Sequence, residues 1–189
     1  MKRKGNLYNN ICEINNIISA FNEVCRNTEN KRKVEKFREY KCIYISRIHK
    51  ILENREYKPG NYNVFTIQDP KTRRIVSQNM QDKVINHLVS RYILYPAILP
   101  CLLDVNVASR KNLGTSAGIK LALDFHRICS IKYKKYYILK CDISKFFASI
   151  DHEILMKKVE RRIKDKEALK IIYDIINMEE QGLSIRCNV

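Results

Sequence analysis

A chain of 189 residues, 45% hydrophobic and 30% charged, has the composition of an ordinary globular protein with one substantial core or two small ones. Its formal charge of +16 and pI near 9.6 are not ordinary: so basic a surface selects polyanions, nucleic acid first, the plain alternative being a Lys-rich proteome. No apolar run reaches the roughly eighteen residues of a membrane span and the basic N-terminus turns polar at once, so membrane-spanning and secreted classes are set aside and a cytoplasmic protein is expected.

The seven cysteines (Cys12, Cys25, Cys42, Cys101, Cys129, Cys141, Cys187) are odd in number and scattered, with no C-x-x-C pair. They read as free thiols in a reducing compartment, several of them buried. His49, His87, His126 and His152 show no ligand-like spacing, which argues against zinc.

In chain order, Ile11, Ile14, Ile18, Phe21 and Cys25 predict an amphipathic helix over 11–25. Asn30 then caps a second helix with Val34, Phe37, Tyr40, Tyr44, Ile48, Ile51 and Leu52 on its apolar stripe. Residues 31–50 carry eight Lys or Arg against two Glu, a pattern that suits either a solvated face or a nucleic-acid backbone. Tyr57-Lys58-Pro59-Gly60 breaks the helix. Residues 63–68 alternate like a strand, Asp69-Pro70-Lys71-Thr72 reads as a turn, and 73–77 as the returning strand. Lys71, Arg73 and Arg74 gather at this tip, where exposed cations suit a triphosphate or a template phosphate, or simply a solvated turn.

A helix over 81–95, stopped by Pro96 and Pro100, comes next. Then follow loop-like residues 101–116 with Arg110 and Lys111, and a helix over 117–131 with Ala117, Leu121, Phe125 and Ile128 inward. Gly114-Thr115-Ser116-Ala117-Gly118 fits the G-x-S-x-G elbow of α/β-hydrolases, but no apolar strand precedes it. The simpler reading makes Thr115 or Ser116 a helix N-cap.

The apolar run 136–143 reads as a strand with Tyr137, Leu139 and Cys141 toward the core and Asp142 at its end, beside the Ile143 carbonyl. A carboxylate there suits magnesium, a hard cation that takes oxygen ligands, although a turn aspartate is the plain alternative. Asp151 and Glu153 fall instead at the cap and first turn of a helix. Of the adjacent Phe146 and Phe147, at least one is expected in a core; the second would floor a sugar pocket and exclude a 2′-hydroxyl if Asp142 holds a metal-bound nucleotide. Two more helices follow, marked by Leu155, Val159, Ile163 and by Leu169, Ile172, Ile176, and Gly182 opens a short last segment.

Three stretches together resemble the bacterial reverse transcriptases of the group II intron, retron and diversity-generating type. They are 57–85, containing Phe65-Thr66-Ile67-Gln68-Asp69-Pro70-Lys71-Thr72-Arg73-Arg74-Ile75; Ala108-Ser109-Arg110 with Gly114-Thr115; and, most specifically, 139–152 around Lys140-Cys141-Asp142-Ile143-Ser144-Lys145-Phe146-Phe147. The resemblance spans about residues 30–189; residues 1–29 look like that family's variable N-terminal helices. It implies an α+β fold of right-hand polymerase fingers and an incomplete palm, helix-rich, with a β-hairpin and a palm strand. The implied division is a helical extension over 1–56, fingers over 57–132 and partial palm over 133–189.

The implied activity is RNA-directed DNA polymerase, a nucleotidyltransferase using two magnesium ions (or manganese) on an RNA template, a DNA primer and deoxynucleoside triphosphates. Asp142 would be the first catalytic, metal-binding carboxylate with the Ile143 carbonyl beside it. Phe147 would be the deoxynucleotide gate, Lys71 and Arg74 triphosphate ligands, and Arg73, Arg110 and Lys111 contacts to nucleic acid. Two departures matter. Gln181-Gly182-Leu183-Ser184-Ile185-Arg186 has Ser184 and Arg186 where the family's next block has proline and glycine, and no Asp-Asp pair of the Y-x-D-D type occurs in the sequence. The expectation is a polymerase portion inactive by itself; the competing one is a non-catalytic RNA- or DNA-binding module.

Overall fold

The computed structural model describes residues 2–69, 71–144 and 146–177, with the backbone alone at 69, 71, 73, 74, 147 and 148. Among these, helices dominate and the one sheet is an antiparallel ribbon, an α+β architecture at the coarse level. No described helix is long and apolar enough to cross a membrane.

The first helical stretch divides into α1 (Tyr8–Cys12) and α2 (Ile14–Asn27), because Glu13 takes an extended backbone between them. The break rotates the apolar stripe, so Ile17 rather than Ile14 enters the core. The second stretch likewise divides, at Tyr40, into α3 (Lys31–Glu39) and α4 (Lys41–Glu53). Asn30 caps α3 as its sequence predicts, its Oδ1 accepting from the Lys33 amide at 3.0 Å. Phe37 stacks on Phe21 of α2 and meets Tyr44 of α4, both at 4.4 Å between ring centres. Tyr44 is therefore packed as expected, while Tyr40, at the break, is left exposed.

β1 (Asn63–Asp69) and β2 (Lys71–Ser77) pair in the register Val64 with Val76, Phe65 with Ile75 and Asp69 with Lys71, so the strands run closer to the tip than their alternation suggests. A two-stranded ribbon is marginal by itself. Val64, Phe65 and Ile67 stay exposed, and the hairpin is rooted at buried Val76. Its other anchor is buried Asp82 in the first turn of α5 (Met80–Leu88). Asp82 accepts from Asn79 Nδ2 at 2.7 Å, the Gly60 amide at 2.9 Å and the Tyr57 hydroxyl at 3.2 Å. Asn79 in turn caps α5 by accepting from the Asp82 amide at 2.8 Å.

Pro96 does not stop the helix after α5. The chain passes through a π-helical segment (Val89–Leu94) into α6 (Tyr95–Ile98), where Pro96 occupies the first turn and its missing N–H breaks no required bond. Leu99–Cys101 closes as a 3-10 turn, and α7 (Thr115–Lys132), a 3-10 turn (Phe146–Ser149), α8 (His152–Glu160) and α9 (Lys166–Asn177) follow.

The core runs from Leu7 to Ala97 and resumes from Met156 to Ile172. Asp165 closes this circuit. Its carboxylate accepts from the amides of Leu7 (2.8 Å) and Tyr8 (3.0 Å) at the start of α1, and of Glu167 and Ala168 (both 3.2 Å) at the start of α9. Burial alone would raise the Asp165 pKa; those four N–H bonds outweigh it and hold the carboxyl below its usual value. The Tyr8 hydroxyl donates to Leu52 O at 2.9 Å, and burial pushes its pKa up to about 12.

Two predictions fail between Ala97 and Met156, a stretch that gives the described core no buried hydrophobic residue. Residues 136–143 form no strand, since β1 and β2 pair only with each other and no other described strand offers a ladder to this run. Tyr137 and Leu139, predicted inside, are 83% and 87% exposed. α7 forms over its predicted span, but Phe125 and Ile128, predicted inward, are exposed and none of its residues is buried.

Candidate nucleic-acid and metal site

The sequence-predicted site residues fall on three stretches. Lys71, Arg73 and Arg74 lie on β2, opposite Asp69, Ile67 and Thr66 of β1. The Pro70 position and Gln181–Val189 lie outside the described residues. Lys71 and Arg74, which the resemblance joins on one triphosphate, sit three residues apart, at positions of opposite parity along the strand.

Arg110 and Lys111 occupy the loop before α7. Arg110 Nη1 reaches the carbonyls of Leu103 (3.4 Å), Asp104 (3.5 Å) and Asn106 (3.2 Å), which makes this guanidinium the tie of its own loop. The Lys111 amide donates to the Tyr95 hydroxyl at 3.1 Å, and the Lys111 side chain is exposed. Ser109 and Asn112 on either side adopt positive φ of 55° and 63°. Gly118 is needed for packing: a Cβ there would stand 3.2 Å from Val107 Cγ2. Neither Thr115 nor Ser116 is the N-cap of α7; Gly114 holds that place without a side-chain bond. No strand leads directly into this G-x-S-x-G stretch, so the hydrolase elbow lacks its setting.

Asp142 and Ile143 stand exposed on the irregular run after α7. The run is tied back at its start, where the Tyr136 hydroxyl contacts His126 Nδ1 and lies 3.2 Å from Ser130 Oγ. Asp151 is the N-cap of α8, its Oδ1 accepting from the Ile154 amide at 2.9 Å, and Glu153 lies in that helix's first turn, as their sequence positions predict. Asp151 is committed to the helix, and Glu153 favours the helix by its charge alone. A magnesium ion would find one free carboxylate here, Asp142, with one neighbouring carbonyl, and no described group gathers three His, Cys, Asp or Glu side chains. That donor set is short of a two-metal centre, and no reaction step through a metal follows from it. Phe147 lies in the 3-10 turn that starts at Phe146, where Ser149 Oγ bonds the Phe146 carbonyl at 2.9 Å.

Cys12, Cys25, Cys42, Cys101, Cys129 and Cys141 are free thiols, as predicted, but only Cys25 is buried and Cys42 and Cys141 are exposed.

Sequence reasoning passed over a row of basic side chains that runs from α5 into the π-helical segment. Lys83 and His87 lie one turn apart on α5, and Arg91 follows in the segment Val89–Leu94. Burial lowers the Lys83 pKa and the nearby Lys33 lowers it further. Burial also lowers the His87 pKa; Arg91 and Lys83 act in the same sense and Glu23 of α2 opposes them. Glu23 itself binds Arg91 at 2.9 Å. The spacing was legible; the junction with Lys33 across two helices was not.

No protein-family model matches the chain, and no curated protein matches it significantly.

Proposed function

We propose that this chain is the fingers and first palm portion of an RNA-directed DNA polymerase, one that holds template RNA and an incoming deoxynucleotide but does not polymerise by itself. The observation that carries the reading is the stretch 139–152. Asp151 is used up in capping α8, so Asp142 is left as the uncommitted carboxylate of this stretch, five residues before Phe147. The antiparallel hairpin supports the reading, because its short turn puts Lys71, Arg73 and Arg74 within four residues of the tip.

In this proposal the hairpin cations offset triphosphate or template charge, and Phe147 crowds the sugar's 2′ position. Asp142 supplies one oxygen ligand toward magnesium, whose chemistry when bound is to lower the cost of charge on phosphate oxygens. Incubation with poly(rA)·oligo(dT), magnesium and dTTP should give no primer extension by residues 1–189. Measurable extension would refute the claim that the chain lacks a complete centre.

The net charge of +16 favours a second reading, a nucleic-acid-binding module without nucleotide chemistry. It predicts RNA binding that Asp142→Ala leaves untouched, and no nucleotide binding at the hairpin.

A further inference from the structure

Lys33 and Lys36 are one turn apart on α3, and Tyr40 continues their side of the helix. The turn before α3 packs on the start of α5, where Thr28 Oγ1 approaches Met80 Sδ at 4.0 Å. This brings Lys33 toward Lys83, whose charge burial and then the nearby Lys33 disfavour. Lys33, Lys36 and Lys83 have no carboxylate partner among the described residues. Lys83 is thus a half-buried lysine with no carboxylate partner among the described residues, a group that an incoming anion would stabilise. Tyr40, at the end of this line, is 45% exposed.

We propose that Lys33, Lys36 and Lys83, with Tyr40, form a seat for single-stranded nucleic acid, the lysines taking successive phosphates and Tyr40 stacking a base. Cations interleaved with an exposed aromatic are what a single strand requires, since every base offers a ring face. A membrane surface fits less well: the apolar residues of α3, Val34 and Phe37, are buried in the core, so the helix has no apolar face to insert into lipid. The seat lies at the root of the hairpin, one residue from Asp82, and not at the tip where Lys71 lies. The inference goes beyond the polymerase reading and does not rest on it.

The test is fluorescence anisotropy with a labelled single-stranded RNA of about twenty nucleotides, titrated from 50 to 200 mM KCl. Lys33→Gln/Lys36→Gln should weaken binding on the order of tenfold or more and lower the slope of log affinity against log salt by about 1.4, roughly 0.7 for each lost phosphate. Tyr40→Ala should weaken binding roughly tenfold with the slope unchanged. Adding Lys83→Gln should lower the slope again, with far-UV circular dichroism reporting an intact fold. Wild-type affinity and slope in Lys33→Gln/Lys36→Gln overturn the seat. So does loss confined to Lys71→Gln/Arg74→Gln, which would leave the polymerase reading standing. Binding to phosphatidylserine vesicles that needs Lys33 and Lys36, with RNA binding intact, overturns it as well.

Discussion

Removing the Asp82 carboxylate should loosen the attachment of the hairpin to the helical body. In Asp82→Ala the Tyr57 hydroxyl, the Gly60 amide and Asn79 Nδ2 lose their shared acceptor, and the first two lie in or beside the core. A buried donor left unsatisfied costs about 1–3 kcal/mol, so two of them plus the lost helix-terminus charge give about 3–5 kcal/mol. That is a large share of the roughly 5–15 kcal/mol that holds a domain folded. At a urea dependence of about 2 kcal/mol per molar, the midpoint should fall by about 2 M. Asp82→Asn retains the shape and one acceptor and should cost less, about 1–2 kcal/mol. A double-mutant cycle of Asp82→Asn with Tyr57→Phe should return a coupling near 1 kcal/mol. Gly60→Ala should strike the same network, because a Cβ there would sit 2.6 Å from Asn79 Nδ2. Urea unfolding followed by circular dichroism is the assay. An Asp82→Ala stability lowered by less than about 0.5 kcal/mol would refute the account of the anchor.

Phe37→Ala should cost about 3–5 kcal/mol in the same assay, since Phe37 packs between Phe21 and Tyr44. Asp165 has a depressed folded-state pKa, so its contribution is present above the ordinary value of 3.8 and is lost as pH falls through the folded value; Asp165→Asn should flatten this acid limb of the stability curve. His87 behaves as a base held neutral: the unfolded chain binds its proton more readily, so stability should decline as pH falls through 6.5, and His87→Gln should remove that component. Asp142→Ala, at an exposed position, should leave the unfolding free energy within about 0.5 kcal/mol of wild type.

Local signals were legible. Asn30, Asp151 and the alternation of β1 and β2 depend on neighbours in sequence; both caps form as read, and the hairpin forms with strands that run closer to its tip. The run 136–143 was misread because its composition specifies a half-buried strand but not the partner that would pair with it. The α7 stripe failed for the same reason, an apolar periodicity with no described element packed on it. Ile14 and Tyr40 went astray at helix breaks, where a one-residue interruption turns the stripe and no Gly or Pro announces it. Asp82 and Asp165 were invisible as anchors because their donors come from 22 and 158 residues away.

The central claim is that the hairpin receives the phosphates of a nucleotide. A deoxyuridine triphosphate carrying a photoreactive aryl azide on its γ-phosphate, incubated with the protein, magnesium and poly(rA)·oligo(dT), tests it directly. Mass-spectrometric mapping should place the label within 63–77 and lose it in Lys71→Ala/Arg74→Ala. Label absent from the hairpin, or undiminished in that variant, would contradict the claim.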